Sequence, residues 1–199
     1  MAHLPAKNNS TTARRTYSLL RGALFSQLSA LPLEQITLTD ICSAALISRS
    51  TFYRYFEDKY DLLHYYMRTL LDETGLNEDV LYLTNSDSVR DFLTILIRHI
   101  SENQILYQKI YRANKDGDLI RIIRQGLIQI MNEKIQEAEK KGYRLKLPAP
   151  IFTSLMVDFY FDIVKCYLEQ ADQCTTEEFL NGICLFTEKD FFVPPEGRS

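Results

Sequence analysis

Between Ser48 and Tyr55 the chain reads SRSTFYRY, and every side chain there except Phe52 carries a hydrogen-bond donor. A guanidinium pairs bidentately with O6 and N7 of guanine, and hydroxyls bond phosphate oxygens. A bidentate arginine discriminates against a wrong base by about 1–3 kcal/mol. Arg49 is therefore the residue to which base specificity is assigned. Catalytic chemistry finds no comparable cluster. The chain has no G-x-S-x-G, no H-E-x-x-H and no glycine-rich phosphate loop. His3, His64 and His99 have no nucleophile-like neighbour, and Asp158 and Asp162, four apart, have no His at a matching position. No catalytic residue and no cofactor are expected. Cys42, Cys166, Cys174 and Cys184 form no C-x-x-C pair, so no metal site is expected and the thiols are read as reduced and mostly buried.

The donors need elements to present them. Thr37 precedes LTDICSAA, with Leu38, Ile41 and Ala45 on one face and Asp40 three positions after the cap, which predicts a short helix. Ser48 caps the next, in which Phe52 and Phe56 face inward and Arg49, Ser50, Thr51, Tyr53 and Arg54 face out. Two short helices joined by so tight a turn make a helix-turn-helix, whose second helix enters the major groove by its N-terminal residues. Upstream, Tyr17, Leu20, Leu24 and Leu28 recur at helical spacing, with Leu19 and Ala23 beside them, in a helix that ends before Pro32. Downstream, Asp58 caps a fourth helix marked by Tyr60, Leu63, Met67 and Leu70 or Leu71.

Composition agrees with an all-α protein. Of 199 residues only seven are Gly and six Pro, and 46% are hydrophobic. The net charge of −3 is unevenly spread: residues 1–60 carry seven Lys/Arg against four Asp/Glu, and the rest of the chain is acidic. No apolar run approaches the ~20 residues needed to span a bilayer, and the N-terminus lacks an apolar signal segment, so a cytoplasmic location without a membrane partner is expected. The expected domains are a mobile arm at 1–12, a helix-turn-helix domain at 13–74 and a helical domain at 75–199. In the last, helices are predicted at about 87–101, 103–113, 118–141, 150–170 and 176–189.

The stretch ITLTDICSAALISRSTFYRYFEDKYDLL, Ile36 to Leu63, resembles the DNA-binding domain of the TetR family of regulators. Thr-Phe-Tyr is followed by Tyr-Phe and Asp-Lys at the family's spacing, and Leu19, Ala23, Leu24 and Phe25 match the apolar positions of its first helix. The resemblance covers about residues 14–72. It implies that Arg49 and Ser50 face base edges of a double-stranded operator, and that Thr37, Ser48, Thr51, Tyr53, Arg54, Tyr55 and Lys59 hold the backbone. Lys59 does so through its ammonium and through a helix N-terminus. Tyr53 and Tyr55 also suit surface packing, Arg54 suits either role, and Arg14 and Arg15 fit a solvated pair as well as a phosphate contact. The sequence departs from the family at Leu46, where a turn glycine is usual, and at Thr39, where some members carry a longer side chain. At Leu46 either a turn that avoids positive φ or local strain is required.

The resemblance further implies a C-terminal domain that binds a small molecule and pairs with a second subunit. Candidate pocket residues are Phe92, Leu96, His99, Tyr107, Tyr111, Ile123, Leu127, Phe152 and Phe159, although aromatics at helical spacing are more often core residues. LMVDFYFDIVKCYL, Leu155 to Leu168, is apolar over much of its circumference. Leu155, Tyr160, Val164, Tyr167, Phe179, Ile183 and Phe186 are the expected homodimer contacts. Three functions follow: a repressor on a palindromic operator modulated by a small-molecule effector; a DNA-binding regulator, such as an activator, controlled by a protein partner; or a helical interaction protein that binds no DNA.

Overall fold

The computed structural model describes residues 11–73, 86–170, 172–184 and 192–193. They form nine α-helices and one two-residue strand pair. The described residues pack as two compact units. The first gathers the described residues up to Thr69 together with Ile105–Ile123. The second takes the described residues within Leu70–Gln104 and those from Arg124 onward. Residues 105–123, expected to lie wholly in a C-terminal domain, thus pack with the N-terminal helices.

In the first unit, helix α1 (Thr11–Leu28) buries Ala13, Thr16, Leu20, Ala23, Leu24 and Leu28, spaced three and four apart. Leu19, placed on this stripe by sequence, is 41% exposed, because it lies one position off the buried row. Pro32 ends the helix and caps a 3-10 turn at Leu33–Gln35. Helix α2 (Leu38–Ala44) starts at Thr37 in a reciprocal capping box with Asp40. It ends in a Schellman motif: the Ile47 N–H reaches the Cys42 carbonyl (3.0 Å) and the Leu46 N–H the Ser43 carbonyl (3.2 Å). That motif puts its αL residue at Leu46, whose φ is 56°. Helix α3 (Arg49–Tyr53) follows, and helix α4 (Lys59–Glu73) opens where the Asp58 carboxylate accepts from the Tyr60 and Asp61 N–H groups, both at 2.8 Å. On α4 Leu62, Leu63, Tyr66, Met67 and Leu71 are buried, whereas Tyr60 is 38% exposed. The apolar face therefore runs through 62 and 66 rather than 60.

Helix α6 (Gln104–Asn114) and the first residues of helix α7 (Asp118–Lys140) complete this unit. Asn114, 1% exposed, is fixed by four hydrogen bonds. Its carbonyl oxygen accepts from the Leu33 N–H (2.8 Å), and its amide donates to the carbonyls of Leu28 (2.9 Å), Ile110 (2.9 Å) and, more distantly, Leu31 (3.4 Å). The Glu34 carboxylate accepts from the Asp118 N–H.

The second unit holds helices α5 (Ser86–Glu102), α8 (Ala149–Gln170) and α9 (Thr176–Cys184), with the remainder of α7. Phe92 of α5 meets Tyr160 of α8 edge-on at 5.1 Å, and burial pushes the Tyr160 hydroxyl far above its ordinary titration range. Thr175 caps α9 through Glu178. Helix α7 also ends in a Schellman motif, here with Gly142 at φ 91°. Strand β1 (Arg144–Leu145) pairs antiparallel with β2 (Phe192–Val193), Arg144 opposite Val193, an element the all-helical reading did not include. Among the described residues no helix is long and apolar enough to cross a membrane, and no group of three His, Cys, Asp or Glu could hold a metal. Of the described thiols, Cys42, Cys166 and Cys174 are free; Cys42 is buried, whereas Cys166 is exposed and Cys174 half-exposed, against the expectation that the thiols are mostly buried.

Candidate nucleic-acid interface

Helix α3 is set by its two ends. Ser48 is extended, and its hydroxyl accepts from the Thr51 N–H at 3.1 Å while lying 2.8 Å from the Ser50 hydroxyl and 2.9 Å from that of Thr51. Phe52, fully buried, anchors the inward face against Phe56 at 5.7 Å. Arg49, Ser50, Tyr53 and Arg54 are exposed, Thr51 half-buried. One apolar contact row and one cap therefore turn the rest of the helix toward solvent as a row of donors.

The donors are organised among themselves. Arg49 Nη2 donates to the Tyr53 hydroxyl one turn later (3.3 Å), its guanidinium 6.0 Å from that ring. Both side chains remain in water, so the bond orders the pair without burying it. The Arg54 guanidinium lies 5.9 Å over the Tyr55 ring. Tyr55 is half-buried and packs edge-on against Tyr17 of α1 (5.4 Å), so its ring is structural. Tyr17 also meets Tyr65 at 4.9 Å, and its backbone carbonyl accepts from the Tyr66 hydroxyl. Tyr17 was read from the sequence only as a core position; its role as the platform under Tyr55 depends on contacts between α1 and residues far downstream.

Thr37 and Asp40 lie at the start of α2. The Thr37 hydroxyl (2.6 Å) and N–H (2.9 Å) both donate to Asp40, and these bonds hold its carboxyl below the usual carboxylate range. Thr37 is exposed, but its hydroxyl already serves the helix. Lys59 differs from its expected role. Its Nζ donates to the carbonyls of Leu33 (2.8 Å) and Ile36 (2.7 Å) and lies 5.2 Å from the Tyr60 ring. The ammonium ties α4 to the α1–α2 link, leaving one of its three N–H donors for a phosphate.

The expected pocket residues do not gather in one unit. Tyr107, Tyr111 and Ile123 belong to the first, and Phe92, Leu96, His99, Leu127, Phe152 and Phe159 to the second. Phe92 and Phe152 are core residues. An open depression of about 490 Å³ between Glu139 and Ala149, lined in part by Tyr143, Arg144 and Leu147, contains none of the nine. The expected dimer contacts also divide. Tyr160, Tyr167 and Ile183 are buried inside the chain, Tyr167 against Phe179 (5.1 Å) with its hydroxyl 3.0 Å from that of Thr176. Helix α8 is apolar on several sides because α5 and α9 both cover it. What stays open is Leu155 (59% exposed), with Ile151 (51%) one turn before it and Val164 half-buried; Phe186 lies outside the described residues.

Comparison with known proteins meets this geometry. The description "Bacterial regulatory proteins, tetR family" matches residues 25–66, from the last turn of α1 through the first half of α4. The HTH-type dhaKLM operon transcriptional activator DhaS of Lactococcus lactis subsp. lactis (strain IL1403) is 34% identical over 110 residues, 54% of each chain; the match thus spans about half the length of that relative. A putative TetR-family transcriptional regulator from Syntrophomonas wolfei str. Goettingen superposes with a TM-score of 0.58 at 15% identity, over 89% of this chain and 94% of the other. A TetR transcriptional regulator from Streptococcus agalactiae 2603V does so at 0.56 and 20% identity, over 89% and 96%. The capped helix pair, the matched segment and the shared all-helical fold agree: residues 25–66 are similar to the helix-turn-helix segment of the TetR family of transcriptional regulators, and the chain has the all-helical fold of these solved structures.

Proposed function

We propose that the chain binds a palindromic operator as a homodimer, with Arg49 and Ser50 on base edges. Ser48, Thr51, Tyr53, Arg54, Tyr55, Thr37 and Lys59 would lie along the phosphates, and the half-sites about 34 Å apart in successive major grooves. The observation that carries this reading is the exposed donor row of α3 above the buried Phe52. Pairing of subunits rests on the open apolar positions Ile151 and Leu155 of α8. In this reading the regulator is a repressor, and a small molecule held by the C-terminal helices modulates operator binding, a coupling typically of about 1–3 kcal/mol. Selection of duplexes from a random pool, followed by anisotropy titration with and without candidate effectors, tests it. A palindromic consensus whose affinity an effector shifts is expected. A non-palindromic consensus, or no selective enrichment, overturns it.

A second reading has one observation in its favour. The relative from Lactococcus lactis is named an activator of the dhaKLM operon. An activator controlled by a protein docked on the C-terminal helices would lower transcription of its target when deleted, whereas a repressor would raise it. A reporter fused to the selected operator separates the two.

A further inference from the structure

The link between α1 and α2 is held by two side chains from elsewhere in the first unit and by one of its own. Asn114 of α6 joins the Leu28 and Leu31 carbonyls at the end of α1 to the Leu33 N–H of the 3-10 turn. Lys59 of α4 takes the carbonyls of Leu33 and Ile36. From the link itself, Glu34 reaches the α7 N-terminus, where Gly117 leaves the space its carboxylate occupies. Helix α2 starts two residues after Ile36 and passes through the Leu46 turn directly into α3. The orientation of α3 is therefore referred, through α2, to a short link fixed mainly by polar contacts.

Among these, Asn114 has the least freedom. It is buried, and its one acceptor and two donors are all engaged at four main-chain groups, three of them more than eighty positions away in sequence. It lies well outside the matched family segment, 25–66. We infer that Asn114 is a positioning residue for DNA recognition, setting the angle at which the α2–α3 pair meets the groove, with Glu34 as its second fastening. The inference rests on the DNA-binding reading above. A shift of the link tilts α3, and base-edge contacts, which tolerate little misplacement, suffer more than phosphate contacts made along a flexible periphery.

Asn114→Asp keeps the acceptor for Leu33 but turns an oxygen toward three carbonyls. Asn114→Leu keeps the approximate volume and none of the bonds. Glu34→Ala alters an exposed side chain and leaves the core intact. For each, affinity is measured on the selected operator and on random duplex, with the active fraction fixed by stoichiometric titration, and amide exchange is followed across Leu31–Tyr53. The expected result is an operator affinity lowered about tenfold for the Asn114 variants and about threefold for Glu34→Ala. Random-duplex affinity should stay within about twofold, with faster exchange spreading from Leu33 into α3. A purely structural role would lower the active fraction and leave the ratio of specific to nonspecific affinity at the wild-type value, and that result overturns the inference. Should the Asn114 variants not fold, Glu34→Ala alone decides by the same ratio. If the wild type binds no duplex, the DNA reading fails; the exchange data then judge the positioning claim, which falls if α3 is unperturbed.

Discussion

Leu46 occupies a backbone conformation that its residue type disfavours, and the cost can be worked out. Its φ of 56° is left-handed, where an L side chain costs roughly 1–2 kcal/mol. Its side chain is 91% exposed, so little burial offsets that cost. Glycine would remove the left-handed penalty but return about 0.5–1 kcal/mol through its greater freedom in the unfolded chain. Leu46→Gly should therefore stabilise the first unit by about 0.5–1 kcal/mol, raising Tm by roughly 1–4 °C for a chain of this size. The same chain offers an internal control, since the Schellman motif that ends α7 places Gly142 at the equivalent position. Thermal melts followed by far-UV circular dichroism measure the shift. Leu46→Ala, which keeps the penalty and removes only exposed surface, should melt within about 1 °C of wild type. A Leu46→Gly protein that melts lower than wild type would refute the reasoning, because it would mean that this side chain makes contacts worth more than the backbone strain.

Phe52→Ala removes the buried anchor of α3 and should cost about 3–5 kcal/mol, seen as a lowered denaturant midpoint; a loss under about 1 kcal/mol would show that the helix is held elsewhere. Arg49→Ala should relax the base preference found by operator selection, whereas Lys59→Ala should weaken all sequences about equally and lower the salt slope by about one. Since the Lys59 ammonium also ties two carbonyls, Lys59→Ala should in addition lower the melting temperature, which Arg49→Ala should not. Asp40 titrates below the usual carboxylate range because of its bonds to Thr37, so its contribution to stability is present above the unfolded carboxyl's pKa and is lost as pH falls through the lower folded value. Thr37→Val should bring the Asp40 carboxyl back toward its ordinary range, as read by NMR titration. Leu155→Glu should convert the proposed dimer to a monomer in light scattering at micromolar concentration; a wild type that is already monomeric removes the basis for the dimeric operator.

The helix-turn-helix was legible because its signals are local. Thr37 and Ser48 cap helices at the positions where the sequence places them, and Phe52 and Phe56 point inward as their spacing requires. Leu46 was visible as the odd residue in the turn, and the structure resolves the choice in favour of positive φ. What sequence could not show was non-local. Asn114 carries no periodic signature, and its partners at Leu28 and Leu33 are distant along the chain, so nothing local in the sequence places α6 beside the N-terminal helices. Lys59 has the composition of a phosphate ligand, yet its ammonium finds main-chain carbonyls first. The apolar girth of α8 looked like spare surface, but α5 and α9 account for much of it through Tyr160 and Tyr167. The pairing of Arg144 with Val193 joins strands too short to leave a pattern.

The discontinuity of the first unit limits how such a regulator can be rebuilt, in the laboratory or by recombination. A crossover placed after α4 would carry the capped helix pair into a new protein but leave Asn114 behind, stranding the Leu33 N–H and the Leu28 carbonyl that it serves. The portable cassette is two pieces of gene, one ending near Thr69 and one running from Ile105 to Ile123, with α5 as the exchangeable insert between them. Because α4 and α7 each begin in one unit and end in the other, the seams near Thr69 and Ile123 fall inside helices, where a graft must preserve the helical phase across the joint as well as the reading frame.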